Sequence, residues 1–475
     1  MIDTEALRKK VIELAIQGKL TEQLPSDGDA ESLYAQILEE KAKLTKEGKI
    51  RKDKDLPPIS DDEIPFDKPV NWLFVRFSSI ITLQSGQDLN ATDYNADGNG
   101  IPYITGASNY RDDGTLIINR WTDVPRAFAN RGDILLSCKG TVGKLTILDE
   151  DEVHIARQIM GIRTYSVNVR FIKYFVDWML EVIKSASKGL IPGIERNDIL
   201  NLCCPLPPLS EQARIVDKIE DVLAQIDIID TLQQQYESDL SVLKGKIIDA
   251  GIRGKLTEQL PEDGDAEDLF AQIQEEKARL IKEGKIKKEK PLPEIDADEI
   301  PFEIPKNWKW VRLGDVARVY GGKRIPAGRS LTAEDTGHKY IRVSDMKNGT
   351  VITDNLLYVP EDIYPTISRY IINKEDVYIT VAGTIGKVGK IPPEIDGVNL
   401  TENADRIVFK FMNQDWLLRC LSASMIQRQI EQLTTQVAQP KLAIKRIQEF
   451  MLPMPPIPEQ NRIVEKIDKV LVAIS

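Results

Sequence analysis

The sequence predicts an α+β protein: two β-rich, mixed α/β modules separated by long paired coiled-coil helices, pseudo-two-fold and circularly arranged. Three observations carry this expectation. They are a long internal repeat, a sustained heptad pattern, and two divergent blocks of short apolar runs broken by turn residues.

The repeat sets the order of the chain. Residues 16–76 match residues 252–312 at a constant offset of 236, with 43 of 61 positions identical. Each copy opens on GKLTEQLP, at Gly18–Pro25 and Gly254–Pro261, and closes on DEIPF, at Asp62–Phe66 and Asp298–Phe302. Pro69-x-Asn71-Trp72-x-x-Val75-Arg76 and Pro305-x-Asn307-Trp308-x-x-Val311-Arg312 follow. Beyond them similarity fades, leaving landmarks: Gly140–Lys144 (GTVGK) against Gly383–Lys387 (GTIGK), and PLPPLSEQ ending at Gln212 against PMPPIPEQ ending at Gln460. A near-identical frame around two divergent inserts points to two modules with one job and different targets.

The frame reads as helix. Ile215, Ile219, Val222, Ile226, Ile229, Gln233, Tyr236, Leu240, Leu243, Ile247 and Ala250 alternate spacings of four and three, broken in character only by Gln233. About 40 residues at 1.5 Å each make a rod of roughly 60 Å. Ile463, Ile467, Val470 and Ile474 repeat the phase before the chain stops, and Leu7, Val11 and Leu14 supply the missing half. The second rod is thus split between the chain ends, and residues 1–20 are expected to pack on 459–475. A second amphipathic helix is expected over 29–47 and 265–283, each closed by a glycine, Gly48 or Gly284. Lysine- and proline-rich linkers follow and read as solvated tethers or partner-docking arms.

In the variable blocks, Ile101–Thr105, Asp133–Ser137, Tyr340–Ser344 and Asp376–Thr380 read as strands, and residues 169–187 and 414–432 as helix. The GTVGK and GTIGK loops are not phosphate loops, because the required first glycine and following Ser/Thr are Cys138 and Leu145, then Val381 and Val388. As glycine-rich turns they can offer backbone N–H groups and Lys144 or Lys387 to a DNA phosphate. No adenine-methyltransferase tetrapeptide, nucleophile elbow or zinc-protease motif occurs. Candidate base-reading or phosphate-binding side chains cluster early in each block. They are Ser85, Gln87, Asn109, Arg111 and Lys139 in the first, and Lys323, Arg324, Arg329, Arg342, Ser344 and Lys347 in the second.

Composition bounds the function classes. The net charge of −11 argues against nucleic acid if taken alone. Residues 71–208 hold 14 Lys+Arg against 15 Asp+Glu, and residues 307–456 hold 20 against 16, so the acid is concentrated in the frame. No apolar run reaches the roughly 18 residues of a membrane span. Cys138, Cys203, Cys204 and Cys420 form no CxxC pair, and with two histidines they offer no metal site of ordinary spacing. A reduced, cytoplasmic chain is expected, with Cys203 and Cys204 in the core. An alternative function is a coiled-coil scaffold whose two modules bind protein or small ligands.

The block openings at Pro69-x-Asn71-Trp72 and Pro305-x-Asn307-Trp308, the PLPPLSEQ and PMPPIPEQ exits and the GKLTEQLP segments together resemble the specificity subunit of Type I restriction–modification enzymes over essentially the whole chain. The resemblance implies an N-terminal helical segment and linker (1–66), target recognition domains at 67–208 and 303–456, a central helical region at 209–302 and a C-terminal helix at 457–475. It implies a non-catalytic DNA-binding subunit in which each domain reads one half of a bipartite, asymmetric site in double-stranded DNA. The helices then act as a ruler between the halves. They also dock two methyltransferase subunits, through residues such as Ile215, Ile219, Val222, Ile226, Ile229, Leu240, Leu243, Ile463, Ile467 and Val470. Motor-nuclease subunits join through that core, and no membrane is involved. S-adenosylmethionine, ATP and Mg belong to those partners, leaving this chain without cofactor or metal. Many members place the GKLTEQLP-type segment at the C-terminus, so the present order resembles a circular permutation.

Overall fold

The computed structural model describes residues 1–51, 56–186, 193–434 and 441–474. Residues 52–55 of the first linker and residue 187 at the end of the expected helix lie outside them. The chain divides into two compact units, Met1–Gln235 and Tyr236–Ser475. The first contains α1 (Thr4–Ile16), α2 (Ala30–Lys46), α3 (Val169–Ala186) and the first half of α4 (Leu209–Ile252). The second contains the rest of α4 with α5 (Ala266–Lys282), α6 (Gln414–Ser422), α7 (Ser424–Thr434) and α8 (Ile457–Ala473). No described helix is long and apolar enough to cross a membrane.

The heptad segment is one continuous helix of 44 residues. Each unit buries its share of the seam separately. In the first, Ile215, Ile219 and Ile226 are interior, and Arg8 of α1 reaches Asp227 and Asp230 at 2.6 and 2.7 Å. Gln233, the polar break in the seam, takes a bond from the Ile2 amide at 2.6 Å and returns one to the Ile2 carbonyl at 3.2 Å. In the second unit, Ile463 and Ile467 of α8 close on α4 so tightly that a Cβ at Gly251 would stand 2.7 Å from Ile467. Within the first unit α1 packs against α3 and is bonded to the first half of α4. Other apolar residues of α4 are open to solvent: Leu232 is 62% and Tyr236 58% exposed, and Leu243 is exposed as well.

The two variable blocks share one topology. In the first, a four-stranded antiparallel sheet runs in the order Ile81–Ser85, Ile159–Thr164, Ile134–Ser137, Leu145–Ile147. A second sheet runs Trp121–Thr122, Ile101–Ile104, Glu152–Ile155, Phe128–Asn130 and holds one parallel pair, Tyr103 with His154. In the second block the corresponding orders are Ala317–Gly321, Ala404–Phe409, Val377–Thr380, Val388–Lys390, and Leu357–Tyr358, Lys339–Ile341, Val398–Leu400, Ile371–Ile372. Its parallel pair is Tyr340 with Asn399. The hairpin Met346–Lys347 with Thr350–Val351 has its counterpart in the Tyr110–Leu116 bridge of the first block, and the short helix Tyr364–Ile367 takes up part of the longer insert. The expected helix over 414–432 is broken at extended Ala423, where Asp249 of α4 accepts bonds from the Ser424 amide and hydroxyl. All four cysteines are free and buried, with Cys203 and Cys204 in the core strand as expected.

The motifs of the frame meet at a buried carboxylate in the first turn of a helix. Glu211, fully buried, accepts from Trp72 Nε1 at 2.9 Å, Asn71 Nδ2 at 3.2 Å and Gln23 Nε2 at 3.0 Å. Glu459 does the same with Trp308 at 2.8 Å, Asn307 at 3.4 Å and Gln259 at 2.9 Å. One residue on, the Gln212 amide donates to Pro207 O and accepts from the Asn168 amide that opens α3, and Gln460 does so with Pro455 O and Asn413 N. Gly18 fits this knot with φ +69°, and a Cβ there would stand 2.5 Å from Pro69. The strand after Trp72 pairs with the block's exit, Arg76 opposite Cys203 and, in the second copy, Arg312 opposite Met451, so both ends of each insert are pinned together.

The described linker residues are largely exposed, as expected, and arginines of the blocks fasten them at points. Arg76 forks onto Glu63 at 2.6 and 2.7 Å and donates to the carbonyls of Pro57, Pro58 and Asn201. That guanidinium, with the Ser60 amide, holds the Glu63 carboxyl down to about 2. Arg312 clamps Glu299 and the carbonyls of Pro293, Glu294 and Glu449 in the same way. The last residue of the PxNWxxVR motif thus fastens the linker to its own block.

Because a buried polar group without a partner is costly, Glu211→Ala is expected to lower stability by about 2–4 kcal/mol in urea denaturation, with Glu459→Ala behaving alike. A loss no larger than the roughly 0.5 kcal/mol of a surface substitution would show that the knot carries little.

Candidate functional site

The candidate residues fall on loops and strand ends of the two blocks, and the structure sorts them by whether their polar atoms are already used. Asn109 is a correction. It is 1% exposed, its oxygen accepts from Thr105 N, Thr105 Oγ1 and Gly106 N, and its amide donates to Ile117 O. It braces a turn and has nothing left for a base. Arg342 forks onto Asp345 at 2.7 and 3.0 Å while its side chain stays 37% exposed, with Ser344 bonded to the same carboxylate. Arg329 pairs with Asp362, Arg324 with Glu402 at 2.6 Å, and the Ser85 hydroxyl accepts from Arg196 at 2.9 Å. Arg111 lies on an exposed turn, with one 3.4 Å contact to Thr115 Oγ1.

The glycine-rich turns are braced from within. In the first, the Ser137 hydroxyl donates to Thr141 O at 2.8 Å and accepts from the Lys144 amide at 2.8 Å, while the Gly143 amide bonds Ser137 O. In the second, Thr380 braces Thr384 O and the Lys387 amide, and the Gly386 amide bonds Thr380 O. The amides of Gly143, Lys144, Gly386 and Lys387 are thus used in holding the turns. Lys144 Nζ leans toward Tyr110 O at 3.5 Å and Asp112 at 3.8 Å, whereas Lys387 is exposed.

Gln87, Lys139, Lys323, Lys347 and Lys387 are exposed and form no ion pair among the described residues. Gln87 and Lys323 occupy the same position of the two blocks, two residues beyond a strand of the first sheet. Sequence reasoning missed the residues that hold this position. His154, fully buried, accepts at Nδ1 from the amides of Arg126 and Ala127 and donates from Nε2 to Gln87 O at 2.9 Å. Burial keeps its pKa below the ordinary imidazole value, so the ring is neutral with its proton on Nε2. In the second block Tyr340 OH donates to Lys323 O at 2.9 Å. The parallel strand pair places both donors, and a lone histidine against a tyrosine left no shared pattern to read.

Asp405 underlies the second of these loops, paired in register with Gly321. It is 4% exposed, and its Oδ2 has no hydrogen-bond partner. Burial pushes its carboxyl up to about 6, against the pull of Lys441. The folded state therefore holds this proton more tightly than an unfolded carboxyl near 3.9, and stability contributed by protonation is lost as pH rises from about 4 to about 6. Asp405→Asn is expected to remove that decline, leaving the variant about 1–3 kcal/mol more stable than the parent at pH 7 and equal to it near pH 4. Unfolding curves at the two pH values check this, and an unchanged slope would contradict it.

Residues 69–238 and 305–474 each match the family described as Type I restriction modification DNA specificity domain. The chain is similar to the Type I restriction enzyme EcoAI specificity subunit of Escherichia coli, at 27% identity over 538 residues, covering 98% of this chain and 88% of that one. It is similar also to the EcoEI specificity subunit of the same organism, at 26% identity over 532 residues, covering 97% and 88%. Among solved structures, a chain from a study of complex assembly and conformational transition in the type I R-M system aligns with a TM-score of 0.58 at 18% identity, covering 86% of this chain and 92% of that one. That likeness is one of fold.

Proposed function

The chain belongs to the Type I restriction modification DNA specificity family, and on that membership we propose that it is the sequence-reading subunit of a Type I restriction–modification complex. Each variable block reads one half of a bipartite, asymmetric site in double-stranded DNA, and the helices set the spacing between the halves. The observation that carries this reading is the pairing of one topology with two side-chain sets. The sheets of both blocks run in the same order inside a near-identical frame, while Gln87 faces solvent where the other block has Lys323. Such an arrangement suits two readers of different sequences. It gives no reason for a scaffold whose modules bind protein or small ligands.

The chain acts without catalysis of its own. Two methyltransferase subunits bring S-adenosylmethionine and the adenine chemistry, and a motor-nuclease brings ATP hydrolysis and Mg, joining through the methyltransferase core. The target adenine leaves the base stack to reach the methyltransferase, since chemistry on a base inside a duplex is out of reach. The seam residues Ile215, Ile219, Ile226, Ile463 and Ile467 are interior to their own units and are unavailable for docking. Leu243 of the expected docking set is exposed in the second unit, and with Leu232 of the first it serves that role. The acidic frame is compatible with DNA binding because phosphate neutralisation is shared with partner subunits.

Replacing residues 307–456 by the matching block of another family member is expected to change one half of the methylated motif and leave the other half intact. Sequencing of methylated bases in cells carrying the chimera and its methyltransferase reads this directly. Loss of both halves by a stably folded chimera would overturn independent reading by two modules.

A further inference from the structure

The position after the first strand of each main sheet is built alike in both blocks, in spite of their divergence. The Gly86 amide bonds Ile159 O at 3.1 Å, and the Gly322 amide bonds Ala404 O at 3.1 Å. A Cβ at Gly86 would stand 2.0 Å from Ala156 O, and one at Gly322 2.0 Å from Thr401 O, so only glycine fits this close approach to the next chain segment. The amide of the following residue is then fixed, Gln87 N on Ile155 O at 2.9 Å and Lys323 N on Leu400 O at 2.8 Å. Its carbonyl is fixed as well, by His154 in one block and Tyr340 in the other, each at 2.9 Å. Two different residues from two different strands supply the same bond to the same carbonyl.

An ion pair flanks each of these residues, with its polarity reversed between the blocks. Asp88 meets Arg157 at 2.7 Å in the first, and Arg324 meets Glu402 at 2.6 Å in the second. What is preserved is the backbone path; what varies is the exposed side chain it presents. Gln87 has no described ion pair, and the Lys323 ammonium sits 5.8 Å from the Tyr370 ring centroid. A residue whose amide and carbonyl are both anchored, while its side chain is left in solvent, is preorganised to present that side chain to a partner.

We propose that Gln87 and Lys323 are the corresponding specificity-determining residues of the two half-sites, Gln87 reading an adenine and Lys323 a guanine in the major groove. This rests on the proposed function above and names the residues that act in it. A glutamine amide matches the N6 donor and N7 acceptor of adenine, and a lysine ammonium matches the O6 and N7 acceptors of guanine. The buried glycine, the two backbone bonds and the carbonyl donor fix where the side chain starts. The side chain itself sets the base.

The test uses the full chain assembled with its methyltransferase subunits on a duplex library randomised across the site. The parent protein is expected to require adenine at one position of the first half-site and guanine at one position of the second. Gln87→Lys is expected to shift the first of these from adenine to guanine, by roughly tenfold or more in relative preference, with the second half-site unchanged. Lys323→Gln is expected to shift the second from guanine to adenine. Both residues are exposed, and unchanged melting of each variant checks that the fold is kept. Unaltered preferences at every position would overturn the proposal. So would a uniform loss of affinity across all sequences with a shallower salt dependence, the behaviour of a phosphate contact. A parent protein with no sequence preference at all would overturn the functional reading itself, and this assignment with it.

Discussion

A carboxylate buried where a long helix begins is the interaction on which the rest of each unit depends. Burying a charge is costly unless hydrogen bonds replace its lost water. Glu211 and Glu459 each receive three donors from two other motifs of the frame, and the positive end of the helix dipole adds to them. The arrangement draws the GKLTEQLP segment, the PxNW segment and the helix into one knot. It explains why these stretches, far apart in sequence, are the ones that stay nearly identical between the two copies.

The next residue shows how a fixed frame can carry a variable module. Gln212 and Gln460 hold their blocks by backbone atoms, a proline carbonyl on one side and the opening amide of the block's helix on the other. A backbone contact is indifferent to the side chains that surround it. The two-stranded pairing that joins entry to exit is likewise a backbone ladder. An insert can therefore change most of its sequence without loosening its attachment, provided its strands keep their order. Arg76 and Arg312 complete the fastening by clamping each linker to its own block.

Much of this was legible in the sequence, and the exceptions have a common cause. The repeat, the heptad seam and the principal strands were readable because each is a pattern among many residues. The helices expected over 29–47 and 265–283 lie within a residue of those bounds, while the one expected over 414–432 is broken at Ala423. Gln233 looked like a flaw in the seam, and it is instead the anchor of Ile2, a contact across more than two hundred residues. Asn109 has the right chemistry for reading bases and is consumed inside the protein, while Arg342, still partly exposed, is drawn into a fork on Asp345. Whether a polar side chain is free depends on partners that only the folded chain brings near. For the same reason the clamps from His154 and Tyr340 left no trace in the spacing.

A chain that reads DNA for a methyltransferase leaves its mark on the genome of its host. The most direct test is a base-resolution map of adenine methylation in cells with and without this gene. The account predicts that one bipartite motif, two short defined halves around a fixed gap, disappears on deletion and returns on complementation. An unchanged map in cells shown to express the chain and its methyltransferase would contradict it.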